Sequence, residues 1–154
     1  MIKKYTPITL TLVLILFLTV LFMEDANLYS FSQLGLGFFF LIFGYFKCMD
    51  LNGFAAYFKQ YDIIANHVHA YAIIYPFIEL ALGLSYLMSF HVQTIAIITI
   101  TIVVVRGIGI VRAAQSDKVL MCGCMGTAAM FPINWMTICA NIATIGAAVI
   151  LLLE

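Results

Sequence analysis

Apolar side chains run almost unbroken through residues 8–23, 31–49, 70–90, 92–111 and 133–153. Runs of this kind lack the polar face of a surface helix and approach the roughly 20 residues needed to cross a bilayer's hydrocarbon core. Each predicts a membrane-spanning helix. Residues 89–93, Ser-Phe-His-Val-Gln, join two of them through so short a link that the pair must be an antiparallel hairpin. Between the second and third runs lies LNGFAAYFKQYDIIAN, residues 51–66. Phe54, Phe58, Tyr61 and Ala65 recur there at helical spacing, with Asn52, Lys59 and Asn66 seven apart on another side. That pattern predicts an amphipathic helix lying in the interface plane. In the last run Ala140, Thr144 and Ala148 recur four apart, with Ala143 and Ala147 beside them. Such a stripe of small residues lets two membrane helices approach closely.

Composition agrees. Of 154 residues 65% are hydrophobic and 9% charged, and the mean hydropathy is +1.13. A soluble domain is about half apolar and a quarter charged. No soluble domain fits beside the spans, and a formal net charge of zero argues against a nucleic-acid partner. The fold class is an all-α membrane protein: a four-helix bundle with an N-terminal anchor helix and an interfacial amphipathic helix. Residues 1–30 form the anchor and an outer loop, and residues 31–154 the helical membrane domain. Lys3 and Lys4 before the first run would also suit a signal peptide. No A-x-A-like cleavage site follows, only Glu24-Asp25-Ala26-Asn27, so a retained anchor is expected.

Orientation follows from the basic residues. With the N-terminus inside, all seven (Lys3, Lys4, Lys47, Lys59, Arg106, Arg112 and Lys118) lie inside or toward the inner ends. The outer segments carry Glu24, Asp25, His91 and Glu154. The expected location is a bacterial inner membrane, with the N-terminus and the loop before the last span cytoplasmic.

That loop holds the most specific chemistry, VLMCGCMGT at residues 119–127. The chain has four Cys and eight Met, and seven of these fall between positions 121 and 139: Met121, Cys122, Cys124, Met125, Met130, Met136 and Cys139. Gly123 and Gly126 allow backbone angles that other residues avoid, as a tight loop needs. Three readings suit the pair. An i, i+2 disulfide closes a small, readily reduced ring, which serves exchange rather than stapling. Two thiolates with Met121 and Met125 would instead make a soft site for Cu(I) or a related ion. The third reading is two small residues in a turn. His67 and His69 fall on the same expected face and could add imidazole ligands. Cys48 could share that face, whereas Cys139 reads as a core residue.

Glu79 lies about halfway through the third span, where carboxylates are rare and tend to be paired. At about 1.5 Å per residue, Glu79 and Arg106 differ in depth by roughly 5 Å, within reach of an arginine. Glu79 is therefore expected to face the bundle interior and meet Arg106 or a neutral donor. Pro76 should kink this helix and free a carbonyl nearby.

Residues 34–153 resemble the DoxX-like membrane proteins. The resemblance rests on a glycine-rich helix ending in a lysine (Gly35, Gly37, Gly44, Lys47), then an interfacial segment, then an E-L-x-x-G signature at Glu79, Leu80 and Gly83. The CGCMG stretch followed by Asn141 is similar to the methylamine-utilisation MauE branch, whose members often carry C-G-C-F-G; here Met125 stands at the aromatic position. The resemblance implies thiol-redox work in maturation, processing or transport of exported proteins. In the namesake the client is the disulfide-rich small subunit of methylamine dehydrogenase. Thiol-disulfide exchange by Cys122 and Cys124 would need no cofactor, only a thioredoxin-like or exported protein partner, with Glu79, Arg106, Lys47, Gly123 and Gly126 as support. The alternatives are a Cu(I)-like carrier or sensor and a non-catalytic membrane scaffold. A client maturing outside the membrane would meet outward thiols, whereas the charge count turns them inward; the charge count is preferred.

Overall fold

A computed structural model describes residues 2–24, 27–116, 120–125, 131–133 and 135–153. Seven helices account for most of them: α1 (Ile2–Phe22), α2 (Leu28–Cys48), α3 (Leu51–Phe58), α4 (Ile63–His67), α5 (His69–Leu87), α6 (Val92–Ala114) and α7 (Trp135–Leu153). Between α6 and α7, strands β1 (Met121–Cys122) and β2 (Phe131–Pro132) pair antiparallel, Cys122 opposite Phe131. Helices α2, α5, α6 and α7 are long and apolar enough to cross a membrane. Each packs antiparallel to its neighbours, giving a bundle with α2 against α5 and α7, and α6 against both α5 and α7. This is a multi-pass membrane protein.

Local chemistry explains the boundaries. Asn27 caps α2 by accepting from Ser30 N–H at 2.7 Å. The α5–α6 hairpin turns on Ser89 and His91, both at positive φ (54° and 43°). Gln33 fastens that turn to α2, donating to Tyr86 O at 2.7 Å and Ser89 Oγ at 2.8 Å. Helix α5 continues through Pro76 without a break, and the proline withholds a hydrogen bond from the Ala72 carbonyl.

Three glycines line a close seam between α2 and α5. A Cβ on Gly83 would stand 2.8 Å from Leu41 N and 2.9 Å from Gly37 O, so the α2 and α5 backbones nearly touch. Gly37 and Gly44 face Leu87 and Leu80 across the same seam. Above it Phe40 stacks on Tyr86, whose hydroxyl donates to Thr99 on α6 at 2.9 Å. Along α7, Thr144 and Ala148 of the small-residue stripe are buried. Cys139 is exposed along the groove that α7 forms with α1 and α2, rather than in the core. A helix apolar on every side carries no moment to tell lipid face from protein face.

The amphipathic segment is two helices, not one. Asp50 caps α3 by accepting from Gly53 N–H at 2.9 Å. Asp62 starts α4 afresh, accepting from Ile64 and Ala65 N–H at 3.0 and 2.9 Å. The expected stripe holds, since Phe54, Phe58, Tyr61 and Ala65 are all buried. What buries it is Ala72, Tyr75, Ile110 and Ala113 of the spans, so this face closes the end of the bundle. Helix α1 lies outside on α2, burying Thr11, Ile15 and Thr19 and exposing most of its other large apolar side chains.

The glycine seam predicts an asymmetric response. Gly83→Ala must force α2 and α5 apart, a loss of about 1–3 kcal/mol for overpacking. Gly146→Ala on α7 meets nothing within 4 Å and should be neutral or slightly stabilising. Thermal melts of both variants in detergent check this; equal melting temperatures would contradict the close approach.

Candidate functional site

At the end of the bundle closed by α3, one carboxylate receives two cations. Lys47 Nζ donates to Glu79 Oε2, and Arg106 Nη1 donates to Glu79 Oε1 at 3.4 Å. Lys47 and Glu79 are each 1% exposed and Arg106 9%. The expected Glu79–Arg106 contact is present, but the closer partner is Lys47. A lysine one residue before the end of a span reads as a flanking charge pointing to water. Here α3 folds back beneath it, and Nζ sits 5.5 and 5.3 Å from the ring centroids of Phe54 and Tyr75. Electron-rich ring faces partly replace the water that the ammonium has lost.

The formal charges of Lys47, Glu79 and Arg106 sum to +1, and the excess meets sulfur. Arg106 Nη2 donates to Cys124 Sγ at 3.2 Å, while Nη1 also reaches the Tyr75 hydroxyl at 3.5 Å. Cys122 and Cys124 are joined as a disulfide, with Cα atoms 5.5 Å apart. Cys122, in β1, is buried and Cys124 is half-buried. Gly123 between them is not at positive φ, contrary to expectation. The space beside it is tight, since a Cβ there would stand 3.2 Å from the Phe54 ring. Gly126 lies outside the described residues.

Tyr61, at the link between α3 and α4, hydrogen-bonds with the Gly123 backbone. Burial pushes its hydroxyl up to about 12, so it remains protonated at neutral pH. Sequence reasoning took Tyr61 only as a member of the apolar stripe; the backbone partner that ties it to the Cys loop comes from a distant element.

The other candidates are not gathered here. His67 and His69 are exposed; His67 lines a separate polar cleft with Asp62, Arg112 and Leu120. Met121 is half-buried in β1, and Met125 packs against Ile15 and Phe43. Among the described residues no group of three His, Cys, Asp or Glu stands close enough to hold a metal ion. Cys48 is half-buried and free.

Beside Cys124 the bundle encloses a cavity of about 80 Å³. Lys47, Arg106, Cys124, Thr137 and Asn141 supply its polar lining, and Phe40, Phe43 and Val103 are among its apolar walls. Asn141, the residue that follows the CGC stretch in the resemblance, donates to Val103 O at 3.3 Å.

A family model described as methylamine utilisation protein MauE matches residues 25–154. The match starts after α1 and takes in every residue of the site. No curated protein and no solved structure matches the chain.

The shared carboxylate predicts which double variant recovers. Glu79→Gln strands two buried cations, and breaking such a group costs about 3–5 kcal/mol in soluble proteins. Adding Lys47→Met removes the more deeply buried cation and should restore much of the folded yield, whereas adding Arg106→Gln should restore less. Size-exclusion yield and melting temperature in detergent read this out. If Glu79→Gln/Lys47→Met is no better than the sum of its singles, the lysine pairing is wrong.

Proposed function

The chain belongs to the methylamine utilisation protein MauE family, and from that premise we propose that it exchanges thiols and disulfides with a partner during maturation of exported proteins. Cys122 and Cys124 are the exchanging pair. The hydrogen bond from Arg106 to Cys124 carries the reading, because a guanidinium beside sulfur favours its thiolate. Cys124 is thus the better leaving group, and attack falls on Cys122. A thiolate of a thioredoxin-like or exported partner bonds to Cys122 Sγ, the Cys122–Cys124 bond breaks, and Cys124 departs as the thiolate. The partner's second thiol then attacks its own mixed-disulfide sulfur and releases Cys122. The partner is oxidised by two electrons, the pair is reduced by two, and both thiol protons pass to the pair. Because Cys122 is buried, its sulfur must be uncovered for the attack.

The proposed location is a bacterial inner membrane, with the Cys-loop end cytoplasmic. Lys59 and Arg112 support that orientation. Lys47 and Arg106 do not count toward it, since both are spent on Glu79. In a Cys48→Ser/Cys139→Ser background, an impermeant thiol reagent added to intact cells after reduction should leave Cys122 and Cys124 unlabelled. Opening the membrane should label them. Labelling in intact cells would put the pair outside, where exported clients mature.

Cysteine and methionine variants separate exchange from the soft-metal alternative. Cys122→Ser and Cys124→Ser should both abolish exchange. Only Cys124→Ser, offered the disulfide form of the partner, should accumulate a mixed disulfide: its Cys122 thiolate attacks the partner's disulfide, and no Cys124 thiol remains to release it. Met121→Leu/Met125→Leu is a volume-conserving change costing less than about 1.5 kcal/mol and should leave exchange intact. Loss of both activity and bound Cu(I) in the methionine variant, with no mixed disulfide in Cys124→Ser, would favour the metal reading. Full function without either cysteine would leave only a scaffold.

A further inference from the structure

Helix α6 takes hold of the disulfide loop twice, once directly and once by a longer route. Directly, Arg106 Nη2 donates to Cys124 Sγ at 3.2 Å. One residue upstream, the buried Gly123 donates its N–H to the Tyr61 hydroxyl. That bond favours the ionised phenol and opposes the effect of burial, as a donor to the phenol oxygen does. Tyr61 is in turn held at its ring and at its backbone. The ring stands edge-on to Phe58, with centroids 5.6 Å apart. The backbone presses on α6 at Gly109, where a Cβ would stand 2.3 Å from Tyr61 O and 3.2 Å from Asp62 Cα. Asp62 then caps α4, so the Tyr61 backbone is fixed by elements outside the loop.

Arg106 and Gly109 are three residues apart on α6 and so share one face of the helix, a turn apart. The contacts therefore close a ring. It runs from Arg106 to Cys124, back one residue to Gly123, across to Tyr61, and onto α6 again at Gly109. A loop held at Gly123 cannot withdraw Cys124 from the guanidinium without breaking the Tyr61 bond and leaving a buried N–H unmet.

We propose that Tyr61 is a positioning residue for the exchange: through Gly123 it keeps Cys124 against Arg106 and so sets how well Cys124 leaves. The inference rests on the thiol-exchange reading given above. A guanidinium bonds weakly to disulfide sulfur and strongly to a thiolate. Loosening this contact therefore costs the opened pair more than the closed one.

The test uses full-length protein in lipid nanodiscs. In a Cys48→Ser/Cys122→Ser/Cys139→Ser background Cys124 is the one thiol left, and its rate of alkylation by iodoacetamide against pH gives the midpoint of its ionisation. Tyr61→Phe keeps the ring and removes the hydroxyl. It should raise that midpoint by about one unit, the low end of what an adjacent opposite charge supplies. With both cysteines of the pair restored, equilibration with thioredoxin above both midpoints should show the Tyr61→Phe disulfide about tenfold harder to reduce, about 30 mV. Gly109→Ala, which pushes the Tyr61 backbone off α6, should move both readings the same way. Tyr71→Phe removes a phenol from the same aromatic cluster and should move neither. If Tyr61→Phe leaves either reading at its wild-type value, whatever its melting temperature, the inference is overturned and Tyr61 is a packing residue. Equal shifts from Tyr71→Phe would overturn it too. Wild-type protein inert toward thioredoxin would overturn the exchange reading and any role of Tyr61 in exchange. The alkylation midpoint, which needs no partner, would still decide whether Tyr61 positions Cys124.

Discussion

The site is organised by the carboxylate of Glu79, which sits at membrane depth and holds two cations from two other helices. A lone carboxylate there would have to neutralise or draw in water. With Lys47 and Arg106 against it, the three groups lock α2, α5 and α6 together at one end of the bundle. The glycine seam makes the arrangement reachable. Gly83 lies one turn from Glu79 on α5, and the near-contact of the α2 and α5 backbones brings Lys47 within range of the acid. The packing and the electrostatics specify one another.

The excess positive charge gives the cluster a second role. If one acid met one base, the pair would be electrically closed. With two bases, Arg106 keeps donors free for other acceptors, and it reaches the Tyr75 hydroxyl and the Cys124 sulfur. Sulfur is a weak acceptor as part of a disulfide and a strong one as a thiolate. The same guanidinium therefore favours the state in which the pair has been opened. Phe54, which shields Lys47, also limits the space at Gly123, so α3 braces the cation and the loop at once.

Much of this was legible in the sequence. The four spans, the hairpin at residues 89–93, the stripe Phe54–Phe58–Tyr61–Ala65 and the inward Glu79 follow from periodicity and the cost of charge in lipid. The misreadings have local causes. Lys47 reads as a flanking charge because its burial depends on α3 returning under the bundle, which no pattern within α2 encodes. The break before α4 was signalled by Asp62, a capping residue followed by an apolar run, but the helical spacing of the aromatics spans the gap and masks it. Gly123 suggests a special backbone angle until the Phe54 ring is seen above it. Cys139 sits on a helix so uniformly apolar that its sequence cannot choose a face.

Helix α1 stands apart from this economy. It lies outside the residues matched by the family model and attaches to α2 through a narrow line of three buried side chains, Thr11, Ile15 and Thr19. Yet Ile8 and Leu12 close one side of the cavity next to Cys124. The wall beside Cys124 is thus built partly from α1, whose Ile15 also packs with Phe43 and the buried Met125. A bundle of this design without α1 would open this cavity sideways to lipid and uncover Met125 beside the disulfide. Ile8 and Leu12 of the first helix thus stand between that cavity and the outside of the bundle.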